Sequence, residues 1–233
     1  MIPDPLGQAL LDYQNNTATE DIETYSSVGG KDVLPIDYLF RSYKDMPKLE
    51  QKALDLCKGK ILDIGCGAGS HSLYLQEKGF DVTAIDISKN AIEVCKLRGL
   101  KKAQKLDVWQ LKDQKFDTIL LLMNGIGLCG KLAKLPDFLN HLKSLLHPNG
   151  QILTDSSDIV YMYEDEEGDI DVPETKYYGE VKFTMTYKMQ KSKVFNWIYL
   201  DVNTLNYYAK NNGLQCNIIL EGPHYDYLAK LTV

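Results

Sequence analysis

Three glycines on alternate positions, Gly65, Gly67 and Gly69, close the short apolar run Ile61-Leu62-Asp63-Ile64, and helix-like sequence starts at once with Ser70 and His71. Glycine takes positive φ and lets a ligand approach a backbone that carries no Cβ. The start of the following helix leaves N–H groups unpaired and a positive dipole end, which suit an anionic or carboxylate-bearing ligand tail. A strand-to-helix turn that holds nothing has the same glycines, so the turn alone does not decide. Three further strand ends carry polar groups: Asp86, Asp107 and Asn124. Asp86 closes the apolar run Asp81–Asp86, and an acid there can accept from two vicinal ribose hydroxyls. Asp107 can accept from the exocyclic amine of a purine, with Val108 N–H serving a ring nitrogen. Open parallel sheets bind ligands outside the carboxyl ends of their strands, so four such ends describe a nucleoside site.

The elements that must position these groups alternate. After the glycine turn come a helix stopped by Gly79, the strand Asp81–Asp86, and a helix capped by Ser88 and stopped by Gly99. A short strand near Lys102–Leu106 follows, then the strong strand Phe116–Leu122 and a helix from Pro136. The turn His147–Gly150 leads into the strand Gln151–Asp155. Five strand–helix repeats with short turns predict right-handed crossovers and a parallel sheet covered on both faces. Val181, Phe183, Met185, Tyr187 and Met189 then alternate with polar residues, and with the run Val194–Leu200 they predict a half-exposed hairpin. Phe195, Trp197 and Tyr199 share one side of that run, as core or as a substrate wall. A helix around Leu205–Ala209 and a terminal hairpin, Leu214–Leu220 with Tyr225–Thr232, end the chain.

Two cofactors fit an acid at Asp86. A dinucleotide site wants Gly-x-Gly-x-x-Gly, but the third position here is Ser70. Asp63 sits near the ligand tail, where an acid suits a cationic amino group better than a pyrophosphate. Ile61–Gly69 with Asp86, Asp107 and Phe116–Gly127 resembles the motifs of class I S-adenosylmethionine-dependent methyltransferases, over about Lys60 to Asp155. The whole chain is similar to uncharacterised bacterial members of that family.

The resemblance implies an α/β, doubly wound, mostly parallel seven-stranded sheet. Its order would be 3-2-1-4-5-7-6 with the last strand antiparallel, and a β-hairpin is inserted here. It implies that Gly65, Cys66, Gly67 and Gly69 line the methionine moiety of S-adenosyl-L-methionine, that Asp86 holds the ribose, and that Ile87, Asp107 and Val108 frame the adenine. Met123 and Asn124 would lie beside the sulfonium. Asn124-Gly125-Ile126-Gly127 departs from the Asn/Asp-Pro-Pro-aromatic pattern of enzymes that methylate nucleobase or glutamine nitrogens, which leaves a small-molecule acceptor. The alternatives are an NAD-dependent oxidoreductase, disfavoured by Ser70 and the final hairpin, and a cofactor-binding protein without catalysis.

Acceptor-side candidates are Tyr38, Arg41, Asp155, Ser156, Trp197 and His224. Pro35 followed by Ile36, Leu39, Phe40 and Tyr43 predicts a helix that either packs on the core or lids a pocket. His141 and His147 read as structural, His71 as helix-start structure or, second to that, a base, and no catalytic base is named. The division expected is an N-terminal helical cap over residues 1–58 and a Rossmann-like domain over 59–233 with an insertion at about 158–200. Residues 15–30 are polar enough for a flexible loop, and the acidic stretch 164–171 for a solvated one.

At 233 residues with a net charge of −6 and no long basic run, the chain is not expected to bind nucleic acid, whose affinity rests on phosphate neutralisation. Met1–Pro5 has neither a basic nor an apolar region, and no apolar stretch is long enough for a membrane span, so a cytoplasmic protein is expected. Five dispersed cysteines without a Cys-x-x-Cys pair read as reduced thiols and not as a metal site.

Overall fold

Pro5 presets φ for the first turn of α1 (Pro5–Gln14), and Asp4 caps it by accepting from Gly7 N–H at 2.9 Å. The computed structural model describes residues 3–17 and 20–233. Residues 1–2 and 18–19 lie outside the described residues, and so do the expectations that touch them. α1 is followed by a hairpin, β1 (Ile22–Ser26) and β2 (Gly30–Leu34), in the stretch expected as loop and helical cap. The segment expected as one helix forms two 3-10 turns instead, Asp37–Phe40 and Tyr43–Asp45. Arg41 stands between them with extended backbone, which breaks the helix and turns its side chain inward. α2 (Lys48–Asp55) then leads to the sheet.

The central strands are β3 (Lys60–Ile64), β4 (Asp81–Asp86), β5 (Ala103–Lys105), β6 (Phe116–Leu121) and β7 (Leu146–Ser157). Their connections include α3 (Ser70–Glu77), α4 (Lys89–Leu97) and α5 (Leu135–Ser144). The insertion carries β8 (Glu180–Tyr187), β9 (Gln190–Lys191) and β10 (Phe195–Ile198). α6 (Val202–Asn211), β11 (Gln215–Glu221) and β12 (Asp226–Thr232) complete the chain. The large sheet runs β11-β12-β7-β6-β3-β4-β5. Counted along the chain this is the expected 3-2-1-4-5-7-6, with β12 antiparallel to both neighbours. One face packs Phe116, Phe138, Leu139 and Leu142, and the other packs Leu49, Leu54, Leu75 and Val82. Among the described residues no helix is long and apolar enough to cross a membrane.

The inserted hairpin does not stand alone. β8 pairs with β10 on one side and with β1 on the other, giving a second sheet ordered β10-β8-β1-β2. This sheet covers the carboxyl rim of the first. α1 braces it: Tyr187 O–H donates to Asp12 at 2.9 Å, and Leu10, Ile22, Val94 and Tyr187 share a core with Ala68. At the rim, Trp197 lies against Gly127, where an added Cβ would fall 2.0 Å from its Nε1.

Candidate active site

Backbone geometry builds a first cavity. Gly65, Gly67 and Gly69 take φ of 74°, 52° and 81° in the turn after β3, a region that any Cβ makes costly. Gly65 N–H and Cys66 N–H donate to the Ile85 carbonyl at 2.9 and 3.2 Å, pinning the turn to the end of β4. The Asp86 carboxylate faces that turn: Oδ2 accepts from Gly67 N–H at 3.0 Å and Oδ1 from Ser88 N–H at 2.8 Å. Burial pushes its carboxyl up while these two donors oppose the shift. A carboxylate oxygen keeps a lone pair after one hydrogen bond, so Asp86 retains acceptor capacity. The cavity holds about 340 Å³ and passes Leu6, the glycine turn and Asp86 on its way to Met123 and Trp197.

A second cavity of about 570 Å³ lies between the sheet rim, at Asn124, Asp155 and Ser157, and the covering elements, at Lys31, Tyr38 and Tyr161. Met123, Phe183 and Tyr199 line both cavities, so the two meet there.

A buried charge network stands at that meeting point. Arg41 donates to both Glu50 oxygens, the first at 2.6 Å, and His71 Nε2 lies 2.6 Å from Glu50 Oε2. Arg41 and Glu50 are 8% and 3% exposed, so water screens neither. The guanidinium also stacks 4.0 Å from the Tyr38 ring, and its Nε–H has no partner among the described residues. Burial pushes the Glu50 carboxyl up, but His71 and Arg41 outweigh it and hold the group below its ordinary value.

Asp155 accepts from Met123 N–H at 3.1 Å and from Asn124 N–H at 2.8 Å. Both donors belong to non-glycine residues at positive φ, 61° and 54°. Such conformations persist only where the surroundings fix them, and they gather at functional sites. Burial, and then the Glu50 charge, push the Asp155 carboxyl up to about 7, against the Asn124 N–H and His71. An unfolded Asp titrates near ~3.9, so between about pH 4 and 7 the native chain holds a proton that the unfolded chain has lost. Stability therefore falls as pH rises through that window. Asp155→Asn removes this contribution. Urea melts of variant and parent should show the variant gaining relative stability from pH 4 to 8; a difference constant with pH would contradict a raised carboxyl.

Of the residues singled out by sequence, Asp63, Gly65, Cys66, Gly67, Asp86, Met123, Arg41 and Trp197 line the first cavity. Tyr38, Met123, Asn124, Asp155 and His224 line the second. Asp63 is buried, and accepts from Ser72 O–H at 2.6 Å. Gly69 caps α3 behind the wall, and a Cβ there would meet Cys95 Sγ at 2.9 Å. Ile87, Asp107 and Val108 stand at the same sheet edge but line neither cavity. Ile87 is 69% exposed, Asp107 caps Trp109 N–H at 3.0 Å, and Val108 packs in the core. Ser156 needs correction. Side chains on a strand alternate, so Asp155 and Ser157 face the cavity while Ser156 turns away and accepts from Leu200 N–H at 2.9 Å. Glu50 escaped the sequence reading. Its signal was a carboxylate three and four residues before Ala53 and Leu54, on the buried face of α2.

A family model described as "Methyltransferase domain" matches residues 61–150. Among solved structures, a SAM-dependent methyltransferase from Bacteroides fragilis in complex with S-adenosyl-L-homocysteine is 46% identical over 99% of this chain and 95% of that one, with a TM-score of 0.93. A second, an S-adenosylmethionine-dependent methyltransferase from Clostridium acetobutylicum, shares the fold at 16% identity, covering 82% of this chain and 93% of that one, with a TM-score of 0.58. Among curated proteins, the ubiquinone biosynthesis O-methyltransferase of Rickettsia prowazekii is 30% identical over 108 residues, 44% of this chain and 42% of that one. The chain thus spans under half the length of the curated relatives it matches.

Proposed function

The chain belongs to the class I S-adenosylmethionine-dependent methyltransferases, and from that premise we propose that it methylates a small molecule held in the second cavity. The observation that carries the reading is the shared wall of Met123, Phe183 and Tyr199, which joins a cavity beside the glycine turn to a second one across the rim.

The first cavity fits the cofactor. Asp86 offers acceptor capacity at the height of the turn, and positive-φ glycines leave the backbone open. Arg41 brings a buried N–H that lacks an acceptor among the described residues, and a ligand carboxylate would supply one. When bound, S-adenosylmethionine supplies a methyl group already activated on a sulfonium. What remains for the protein is alignment and the exclusion of water. Asp86 serves the ribose, the Gly65–Ala68 turn and Asp63 serve the amino-acid tail, and the base extends past the cavity to the sheet edge at Ile87, Asp107 and the Val108 backbone. Met123 and Asn124, fixed by Asp155, set the wall between cofactor and acceptor.

Residues 1–58 and the insertion at about 158–200 act as one cover on the 59–233 domain, because β1 and β8 pair across the rim. The five cysteines are free thiols, which suits the reducing cytoplasm. The test is calorimetric. S-adenosylmethionine and S-adenosylhomocysteine should each bind one site per chain and compete, and NAD should give no heat. NAD binding in their place would sink the assignment of the first cavity.

A further inference from the structure

We propose that the methyl acceptor is an amine, entering the second cavity as its ammonium ion and giving a proton to Asp155. The inference rests on the methyltransferase reading and goes on to name the acceptor's chemistry.

The charge of the second cavity carries it. Four carboxylates line it, from Asp32, Glu50, Asp155 and Asp226. Facing them are one ammonium, Lys31, and one imidazole, His224. Glu50 is spent on Arg41 and His71, which leaves three acids against that single lysine. A ligand carboxylate or phosphate would enter against this field, whereas a cation is drawn in. The route inward is aromatic. Phe183 and Tyr199 stand 6.4 Å apart by ring centroids, where the cavities meet. Ring faces hold a desolvated ammonium by cation–π attraction and give little to an anion.

Asp155 is the acid at the inner end. The charged and titratable groups that face it come from three directions: Glu50 on α2, His71 on α3, and Tyr38 and Tyr199 from the cover. Its oxygens hold the N–H groups of Met123, which lines both cavities, and of Asn124. Its carboxyl stands near neutrality, where it both loses and takes a proton readily. In the step, the ammonium N–H bond breaks and its proton bonds to an Asp155 oxygen. The electron pair stays on nitrogen, leaving a neutral amine beside a neutral carboxyl. That lone pair is what the methyl transfer consumes.

Three probes of one size and different charge test this: phenethylamine, 2-phenylethanol and phenylacetate, titrated calorimetrically into protein saturated with S-adenosylhomocysteine. Phenethylamine should bind at least tenfold more tightly than the alcohol, and phenylacetate more weakly than either. Asp155→Asn should erase most of the amine preference. Asp32→Asn, an exposed change at the cavity mouth, should reduce the preference two- to threefold and guards against misfolding of the first variant. Equal binding of the three, preference for the alcohol or the acid, or binding of none by protein that holds S-adenosylhomocysteine would overturn the amine assignment. Failure to hold S-adenosylhomocysteine would instead strike the cofactor reading beneath it.

Discussion

Asp86→Ala should weaken S-adenosylhomocysteine binding by about 1.5–3 kcal/mol, the scale of hydrogen bonds to a charged acceptor, or roughly ten- to 150-fold in dissociation constant. Two effects add. The carboxylate that faces the glycine turn is lost, and Gly67 and Ser88 lose the acceptor that holds their N–H groups. Asp86→Asn separates them, because an amide oxygen keeps one of those donors while the charge is gone. The asparagine variant should fall between parent and alanine. The same order should hold for the thermal stabilisation conferred by saturating ligand, which follows RT ln(1 + [L]/Kd). An alanine variant with unchanged affinity would sink the ribose assignment of Asp86.

Glu50→Ala should cost about 3–5 kcal/mol of folding stability, because it strands a buried guanidinium. Arg41 would lose both of its bonds to Glu50 and, among the described residues, keep only the Tyr38 carbonyl, with Nε–H already unpaired. In a chain of this size that lowers the melting temperature by around 10 °C. Glu50→Gln should cost less, since one oxygen still accepts from Arg41. The pH dependence has the opposite sign to that of Asp155. Glu50 is held below its ordinary value, so its contribution is complete above the unfolded pKa of about 4.3 and is lost as pH falls below it. Thermal melts of parent and Glu50→Ala at pH 7 and pH 3 should therefore converge at the lower pH. Equal melting temperatures at pH 7 would show that solvent reaches the pair.

The parallel half of the fold was legible because its strands are buried on both faces and read as continuous apolar runs, as in Ile61–Ile64 and Phe116–Leu121. Glycines and terminal acids then gave the strand ends, and with them the site. The N-terminal hairpin was hidden for the converse reason. β1 buries only Ile22 fully, and its partner β8 lies far along the chain. No local pattern announces such a pairing. Ile36, Leu39, Phe40 and Tyr43 do have helical spacing, but Arg41 breaks the segment to reach Glu50, a tertiary contact that overrides the local one. On β7 the residues from Gly150 to Ser156 are all buried, so hydropathy could not say which of Asp155 and Ser156 faces the ligand. Only the register of β7 against β6 and β12 decides it.

The shared second sheet also orders events in time. A nascent chain exposes β1 and β2 long before β8, which starts at Glu180, about 150 residues after β2 ends at Leu34. At translation speeds of roughly 5–20 residues per second, the β1 edge waits on the order of ten seconds for its neighbour. The glycine turn and Asp86 are made well before then, but both cavities wait for Phe183 and Tyr199, so neither closes until the second sheet forms. Chaperones that shield bare strand edges would find their target here at β1.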